Sequence, residues 1–177
     1  LWRIGQIIYA GNTEVANKKA KDVVKRGAQS LVFEVPKEKI DWTMLLEGID
    51  IKNIPVHFNF HFLQLESIKK LMDYAKDKSS TLSLNIDIVG NLARTGNWFH
   101  NMEQDHKLLE EMVQLADKNK SLNIISVDII LYQNAGANIV QQLAYGLAHA
   151  NEYLNHFEKN VTEAKEKSVL FKVAIGS

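Results

Sequence analysis

The chain has 177 residues and a mass of 20.1 kDa, the size of a single domain. Its 21 lysines and arginines balance its 21 aspartates and glutamates, which argues against a nucleic-acid-binding protein or a polybasic membrane anchor. The absence of cysteine excludes disulfides, thiolate metal sites and cysteine nucleophiles. No apolar run approaches the ~18 residues of a membrane span, and no secretory leader opens the sequence, so we expect a cytoplasmic protein.

Hydrophobic periodicity switches repeatedly between the two-residue repeat of strands and the 3.6-residue repeat of helices. In chain order we predict a strand at 3–9, a helix at 13–26, a strand at 31–35, a short helix at 42–46, a strand at 56–62, a helix at 66–75, a strand at 82–89, a loop at 90–101, a helix at 104–118, a strand at 123–132, a helix at 137–158 and a strand at 169–175. Strands and helices that alternate with short connections require right-handed crossovers and a mainly parallel sheet.

Alternation within the strands favours a closed barrel over an open, doubly wound sheet. In the strands at 56–62 and 82–89, apolar residues share one face and polar residues share the other. The polar residues are His57, Asn59, His61, Ser83, Asn85 and Asp87. Central strands of a doubly wound sheet are covered by helices on both faces and are apolar on both sides. We therefore predict an α/β fold of the (β/α)8 TIM-barrel type with a polar interior.

The number of predicted strands indicates a partial barrel. Six strands are two short of the eight that close a (β/α)8 barrel, so we expect residues 1–177 to be a piece cut from a longer protein. A partial barrel has two unpaired edges, which proteins normally cover. We expect these edges to pair with another chain or to allow the piece to associate with itself.

The longest predicted helix, at 137–158, combines an apolar seam with two tyrosines. Its apolar seam consists of Ile139, Leu143, Leu147, Ala150 and Leu154. The spacing of Tyr145 and Tyr153 predicts packing in the core or against a partner.

The spacing of His57 and His61 argues against a shared metal ion. His57 and His61 share one side of a strand, but four residues of extended chain separate them by roughly 13 Å, too far for two ligands of one ion. We predict that they lie in the barrel interior, hydrogen-bonded to Asn59 and Asn85. The other histidines, predicted to be exposed, packed or without partners, are His100, His106, His149 and His156.

Two carboxylates lie near the C-terminal ends of successive predicted strands. Asp87 and Asp128 lie where barrel enzymes place their catalytic residues, and a pair of carboxylates there can act as general acid and base. They can equally bind Arg94 or cap the loops that follow, and we favour this structural interpretation. Trp98 and Phe99, in the predicted loop, are interpreted as a lid or an interface anchor.

One long segment resembles a known family. The stretch from Tyr132 to Tyr153, YQNAGANIVQQLAYGLAHANEY, is similar to the barrel of methylmalonyl-CoA mutase, where a Q-E-A-G-A element opens a helix that ends in an acidic residue followed by tyrosine. WRIGQ at 2–6 is similar to the W-x-I-R-Q that begins the same barrel. LARTGNW at 92–98 and VAIGS at 173–177 also resemble the family's small, or β, subunit.

The resemblance implies an acyl-CoA-binding (β/α)8 barrel, of which residues 1–177 are one domain, followed by a cobalamin-binding domain. It implies the radical interconversion of methylmalonyl-CoA and succinyl-CoA, with adenosylcobalamin as the cofactor. The family's D-x-H-x-x-G cobalamin motif is absent here. We therefore expect the cobalamin-binding domain to be missing and the cofactor to belong to the parent assembly, not to this piece.

Several family residues of the catalytic site are replaced. Catalytic subunits have a histidine two residues before the glutamine of Q-E-A-G-A, and this chain has Leu131 there. A leucine cannot donate a hydrogen bond to the thioester carbonyl. The catalytic tyrosine follows W-x-I-R-Q directly, and that position is Ile7, while Gly5 replaces the arginine. Tyr9 matches the tyrosine only if the alignment moves by two residues.

Two positions retain the family's substrate-binding residues. Gln133 matches the motif glutamine, and Arg94 matches, within one residue, an arginine that contacts the substrate carboxylate. Large polar side chains in the interior also leave no room for the pantetheine arm. We therefore predict a non-catalytic small subunit that stabilises the large (alpha) subunit of a heterodimeric mutase. The alternatives are a catalytically competent cobalamin-dependent mutase chain and an unrelated TIM-barrel enzyme that uses Asp87 and Asp128.

Overall fold

A computed structural model describes residues 2–75, 82–117, 122–160 and 169–174. Strands and helices alternate along these ranges. They are β1 (Gly5–Tyr9), α1 (Thr13–Lys25), β2 (Ser30–Val35), α2 (Trp42–Leu46), β3 (Val56–Phe60), α3 (Leu65–Ala75), β4 (Leu82–Ile86), α4 (Ile88–Thr95), α5 (Met102–Asp117), β5 (Leu122–Asp128), α6 (Ile130–Asn134), α7 (Ile139–Asn160) and β6 (Leu170–Lys172). Among the helices in these ranges, none has both the length and the apolar character needed to span a bilayer.

The strands neighbour one another in chain order, from β1 to β6. Neighbours are parallel wherever their register is described, namely between β1 and β2, β2 and β3, β3 and β4, and β5 and β6. Parallel neighbours joined by helices are the repeating unit of a (β/α)8 barrel. The predicted fold class is confirmed, because the described ranges form an α/β partial barrel of six strands.

Two compact units divide the chain. Unit 1 contains Leu1–Leu84 and Gln114–Leu122, and unit 2 contains Asn85–Val113 and Asn123–Ser177. In unit 1, aromatic side chains fill the apolar face of β2 and β3. Phe33 and Phe58 are fully buried, and their ring centroids lie 5.8 Å apart. The ring centroids of Trp42 and Phe58 lie 5.5 Å apart with the rings nearly perpendicular, and Trp42 donates its Nε1–H to the carbonyl of Ser67.

The opposite face of β2 and β3 is polar, as the alternation predicts. Glu34 on β2 is in register with Asn59 on β3, and its carboxylate accepts a 2.5 Å hydrogen bond from the Asn59 amide. The same carboxylate lies 2.9 Å from His61 Nε2. The prediction that His61 pairs with an asparagine is therefore wrong, because the neighbouring strand presents a carboxylate, which is the stronger acceptor.

The segment predicted as a loop at 90–101 begins with a helix. β4 ends at Ile86, and α4 occupies Ile88–Thr95, so the predicted strand end at residue 89 is also wrong. Asp87 caps α4 by accepting a 2.8 Å hydrogen bond from the Gly90 amide, and Gly96 ends the helix in the left-handed conformation with φ of 76°. A Cβ at position 90 would collide with the Asp87 carboxylate, so this glycine permits the cap instead of breaking the helix.

Helix α7 buries a different face from the predicted seam. Ile139, Leu143, Leu147 and Leu154 are all more than half exposed, and of the seam only Ala150 is buried. The buried positions are Gly146, His149, Ala150, Tyr153 and Phe157. A Cβ at position 146 would collide with Ile129, so Gly146 lets this face of the helix approach the end of β5 closely. Likewise, β5 ends at Asp128 and not at the predicted residue 132, because α6 begins at Ile130.

Candidate functional site

The candidate site lies in unit 2, where β4 and β5 end. Asp87 directly follows β4, and Asp128 is the last residue of β5. These are the carboxyl ends of the strands, where (β/α)8 folds place their functional residues. Helix α7 contributes His149 and Tyr153 to the same place, and α6 contributes Tyr132.

Asp87 is the centre of the site, because four hydrogen-bond donors surround its carboxylate. Its Oδ1 accepts from the Tyr153 hydroxyl at 2.7 Å, from His149 Nε2 at 2.8 Å and from the Gly90 amide at 2.8 Å. Its Oδ2 accepts from the Asp128 amide at 3.1 Å. Only 9% of the Asp87 side chain is exposed, so the carboxylate is desolvated but fully hydrogen-bonded.

His149 connects Asp87 to a tyrosine. An ionised carboxylate can only accept, so the His149 Nε2 that faces Asp87 carries a proton. In the neutral imidazole the other nitrogen, Nδ1, is then an acceptor, and it lies 3.1 Å from the Tyr132 hydroxyl. The His149 side chain is 1% exposed. Asp87, His149 and Tyr132 therefore form a part-buried chain of hydrogen bonds, which we call the Asp87–His149–Tyr132 relay.

Burial alone would raise the pKa of Asp87, but its partners outweigh burial. The hydrogen bond from His149, the charge of that imidazole when it is protonated, and the hydrogen bonds from Tyr153 and Gly90 hold the pKa of Asp87 below its ordinary value. The carboxylate is therefore the stable form, and Asp87 is a weak proton acceptor.

The two tyrosines respond in the opposite direction. Burial, followed by the charge of Asp87, raises the pKa of Tyr132. Burial, the charge of Asp87 and the hydrogen bond to it raise the pKa of Tyr153 well above its ordinary range. Tyr153 also accepts a 3.0 Å hydrogen bond from the Val89 amide, which places its hydroxyl at the start of α4. Both phenols stay protonated at neutral pH.

The second carboxylate is also engaged. Asp128 Oδ2 lies 3.2 Å from the Arg94 guanidinium, and its Oδ1 accepts from the Ile130 amide at 3.1 Å. Asp128 binds Arg94, as the structural interpretation of the two carboxylates predicts. The segments that Asp87 and Asp128 cap or bind are the starts of α4 and α6, and not the predicted loops. Neither carboxylate is poised as a free acid or base.

The two predicted substrate-binding residues lie in unit 2 but are not joined by a described hydrogen bond. Arg94 is on α4, with 53% of its side chain exposed, and it pairs with Asp128. Gln133 is half-buried on α6. Its Oε1 is buried and has no hydrogen-bond partner within the ranges that the structure describes. An unpartnered buried acceptor is costly, so this oxygen is an unsatisfied position beside the relay.

Sequence reasoning missed His149 and Tyr132. The prediction that His149 is an exposed or packing residue overlooked its place on one helix face with Tyr153, four residues later. Buried positions at 146, 149, 150, 153 and 157 have helical spacing, and a histidine within such a stripe signals a buried polar partner. Tyr132 directly precedes Gln133, the first residue of the motif, but carries no signal of its own.

The remaining histidines have partners, contrary to prediction for His100 and His106. His100 Nδ1 lies 2.9 Å from the buried carboxylate of Asp105, which also accepts from the Phe99 amide. His106 contacts the carbonyl of Met102, and its ring lies 5.5 Å from Trp98. In the parts of the chain that are described, no three His, Cys, Asp or Glu side chains are grouped to hold a metal ion.

The shifted pKa values of Asp87 and Tyr153 predict how the stability of the fold depends on pH. The pKa of Asp87 is lowered on folding, so its contribution is complete above its ordinary value of 3.8 and is lost as the pH falls below it. The pKa of Tyr153 is raised, so its contribution is complete below its ordinary value of 10.0 and is lost as the pH rises above it. We expect urea-unfolding midpoints to decline at both extremes.

Two conservative variants separate these contributions. Asp87→Asn removes the titrating carboxylate and is expected to flatten the acid decline. Tyr153→Phe removes the titrating phenol and is expected to make the alkaline decline shallower. If each variant showed the same pH profile as the wild type, displaced only by a constant, the assignment of the two limbs to these residues would be wrong.

A family model described as methylmalonyl-CoA mutase matches residues 37–166, about three quarters of the chain. The matched range includes every residue of the Asp87–His149–Tyr132 relay, as well as Arg94 and Gln133. No curated protein matches the chain significantly.

Proposed function

Because the chain belongs to the methylmalonyl-CoA mutase family, we propose that it is the non-catalytic small subunit of a heterodimeric, adenosylcobalamin-dependent mutase. In this proposal it stabilises the catalytic large subunit, and the assembly interconverts methylmalonyl-CoA and succinyl-CoA. Membership of the family removes the alternative of an unrelated barrel enzyme that uses Asp87 and Asp128.

One observation carries the proposal: both carboxylates at the strand ends already accept structural hydrogen bonds or form an ion pair. Asp87 accepts from four donors, and Asp128 is shared between Arg94 and a backbone amide. A general acid or base must reach a reacting proton through a free lone pair or hydrogen. Leu131, in the position of the family histidine, has no donor with which to stabilise a developing oxyanion.

The state of the two retained residues supports the same conclusion. Arg94 is paired with Asp128, so its charge is partly neutralised before any substrate carboxylate arrives. The family tyrosine position is Ile7, an exposed aliphatic residue of β1. In this proposal Arg94 and Gln133 are vestiges of a substrate site.

The cofactor belongs to the partner in this proposal. The chain carries no D-x-H-x-x-G motif, so none of its residues is assigned to adenosylcobalamin and no reaction step is derived through it. When bound to the large subunit, the cofactor supplies the radical chemistry of the rearrangement.

Exposed apolar side chains support a large protein interface. In unit 2 they follow one stripe of α7 and are more than half exposed, namely Ile139, Val140, Leu143, Leu147 and Leu154. Soluble monomers rarely expose a continuous apolar patch of this kind. β1 and β6 are the first and last strands in the order, so each has an unpaired edge. In this proposal, a second copy of the chain competes with the large subunit for these edges.

The proposal is tested with the full-length chain and its large subunit. We expect no saturable binding of succinyl-CoA to the chain alone by titration calorimetry, and mutase turnover only when the large subunit is present. Leu147→Asp should weaken association with the large subunit about tenfold, equivalent to about 1.4 kcal/mol. Asn151→Asp adds the same charge at an exposed polar position of α7 and should leave association unchanged.

A catalytically competent mutase chain is the second candidate, favoured by the unpartnered Oε1 of Gln133. A ligand with an N–H or O–H group would donate a hydrogen bond to this buried oxygen, which lies at a retained substrate position. Saturable binding of succinyl-CoA that is lost in Gln133→Leu, or cobalamin-dependent turnover by the chain alone, would replace the first proposal with this one.

A further inference from the structure

We propose that Tyr132 is a redox-active tyrosine, whose hydroxyl proton passes to His149 as the phenol loses an electron to a one-electron oxidant. This inference goes beyond the proposed function and does not depend on it. It uses only the residues of the Asp87–His149–Tyr132 relay and their neighbours in unit 2.

The hydrogen bonds of the relay prepare His149 as a proton acceptor. The Asp87 carboxylate lies 2.8 Å from Nε2 and fixes the proton of the imidazole on that nitrogen. The lone pair of Nδ1 therefore faces the Tyr132 hydroxyl at 3.1 Å. A carboxylate, an imidazole and a hydroxyl in this order are the arrangement by which proteins make a hydroxyl group give up its proton.

Oxidation of a half-buried phenol requires such an acceptor. Loss of an electron alone would leave a cationic radical away from bulk water, and an unpaired charge is costly there. If the O–H bond of Tyr132 breaks while an N–H bond forms on His149 Nδ1, the products are a neutral phenoxyl radical and an imidazolium. The electron reduces the oxidant, so charge and atoms balance. The imidazolium then forms an ion pair with the Asp87 carboxylate, which stabilises it.

Burial keeps the transferred proton in place. The His149 side chain is 1% exposed, and its two nitrogens face Asp87 and Tyr132. The titratable groups around the relay, besides its own members, are Tyr153 and Asp128 at Asp87, and Tyr145, whose ring lies 5.4 Å from Tyr132. The proton on His149 is therefore available to return to Tyr132 when the radical is reduced.

Tyr153 is the internal comparison, because it lies in the same cluster with a different acceptor. Its hydroxyl donates to the Asp87 carboxylate at 2.7 Å. That carboxylate already accepts from three other donors, and its pKa is lowered, so it is a poor proton acceptor. The geometry thus distinguishes Tyr132, which faces a base, from Tyr153, which faces an anion that keeps its charge.

The experiment oxidises the full chain with hexachloroiridate(IV), an outer-sphere one-electron oxidant, and detects tyrosyl radical by rapid-freeze electron paramagnetic resonance. In the wild type we expect a tyrosyl signal. In Tyr132→Phe the signal should fall to a small fraction of the wild-type yield. Tyr145→Phe, which removes the hydroxyl of the neighbouring and more exposed ring, should leave the yield unchanged.

A second variant tests the role of His149. Glutamine in His149→Gln can still form hydrogen bonds but has no basic lone pair, so the rate of radical formation should fall about a hundredfold. A full signal in Tyr132→Phe, or a loss of signal in Tyr145→Phe, would overturn the proposal. So would an unchanged rate in a folded His149→Gln chain. If His149→Gln does not fold by circular dichroism, the Tyr132→Phe yield decides alone.

Discussion

Replacement of Asp87 by alanine is expected to lower the free energy of unfolding by about 3–5 kcal/mol, because each buried donor left without an acceptor costs about 1–3 kcal/mol. Four donors lose their acceptor at once, including the buried imidazole of His149 and the buried hydroxyl of Tyr153. Helix α4 also loses its N-cap, which by itself costs about 1 kcal/mol. Urea denaturation followed by circular dichroism measures the change.

Asp22→Ala is the matched control, since it removes a carboxylate of the same type from the surface. Asp22 pairs with Arg26 one helical turn away, and both side chains are more than half exposed. Such pairs contribute at most about 1 kcal/mol. If Asp87→Ala and Asp22→Ala destabilised the chain equally, the hydrogen bonds around Asp87 would not be a source of stability. Asp87→Asn keeps an acceptor and is expected to fall between the two.

Where the sequence pattern is regular, it predicted the fold. α2 lies at Trp42–Leu46, as predicted, because Asp41 caps it and a glycine follows it. The alternation in β3 correctly separated buried Val56 and Phe58 from the polar face. The parallel pairing of the strands followed from their alternation with helices, since parallel neighbours need a crossover.

The predictions failed where a close tertiary contact decides the structure. Gly90 suggests a loop in the sequence, yet it lies inside α4 because the Asp87 carboxylate occupies the space of a side chain. The leucines of α7 suggest a buried seam, yet the helix turns Gly146 and Tyr153 inward, because the first allows close approach to Ile129 and the second reaches Asp87. No local pattern reveals either contact.

In the candidate site, too, some features were predictable from the sequence and others depended on tertiary contacts. The position of Asp87 and Asp128 near strand ends was predictable from chain order, and so was the binding of Arg94, which pairs with Asp128. That the carboxylates bind the starts of α4 and α6 was not predictable, because neither helix was predicted. The Asp87–His149–Tyr132 relay was not predictable either, because its members lie 17 and 62 residues apart along the chain. A network of this kind rigidifies the strand ends, which suits the stabilising role that we propose for the chain.

In unit 1, Phe58→Ala is expected to lower the free energy of unfolding by about 3–5 kcal/mol, the usual cost of removing a buried aromatic side chain. Phe58 is fully buried. Its ring centroid lies 5.8 Å from that of Phe33, 5.5 Å from that of Trp42 and 6.1 Å from that of Phe60. Truncation therefore leaves three aromatic neighbours facing a cavity. The midpoint and slope of urea unfolding measure the loss.

The size of this effect depends on whether the aromatic cluster can collapse into the space. Trp42 is held by the hydrogen bond from its Nε1 to the carbonyl of Ser67, so it cannot move into the cavity without breaking that bond. We therefore expect the loss to lie at the upper end of the range, and Phe58→Leu, which refills much of the volume, to recover more than half of it. Met44→Ala, at a position that is 44% exposed in the same unit, is the control and should cost less than about 1 kcal/mol. Equal losses for Phe58→Ala and Met44→Ala would mean that the cluster is not the core of unit 1.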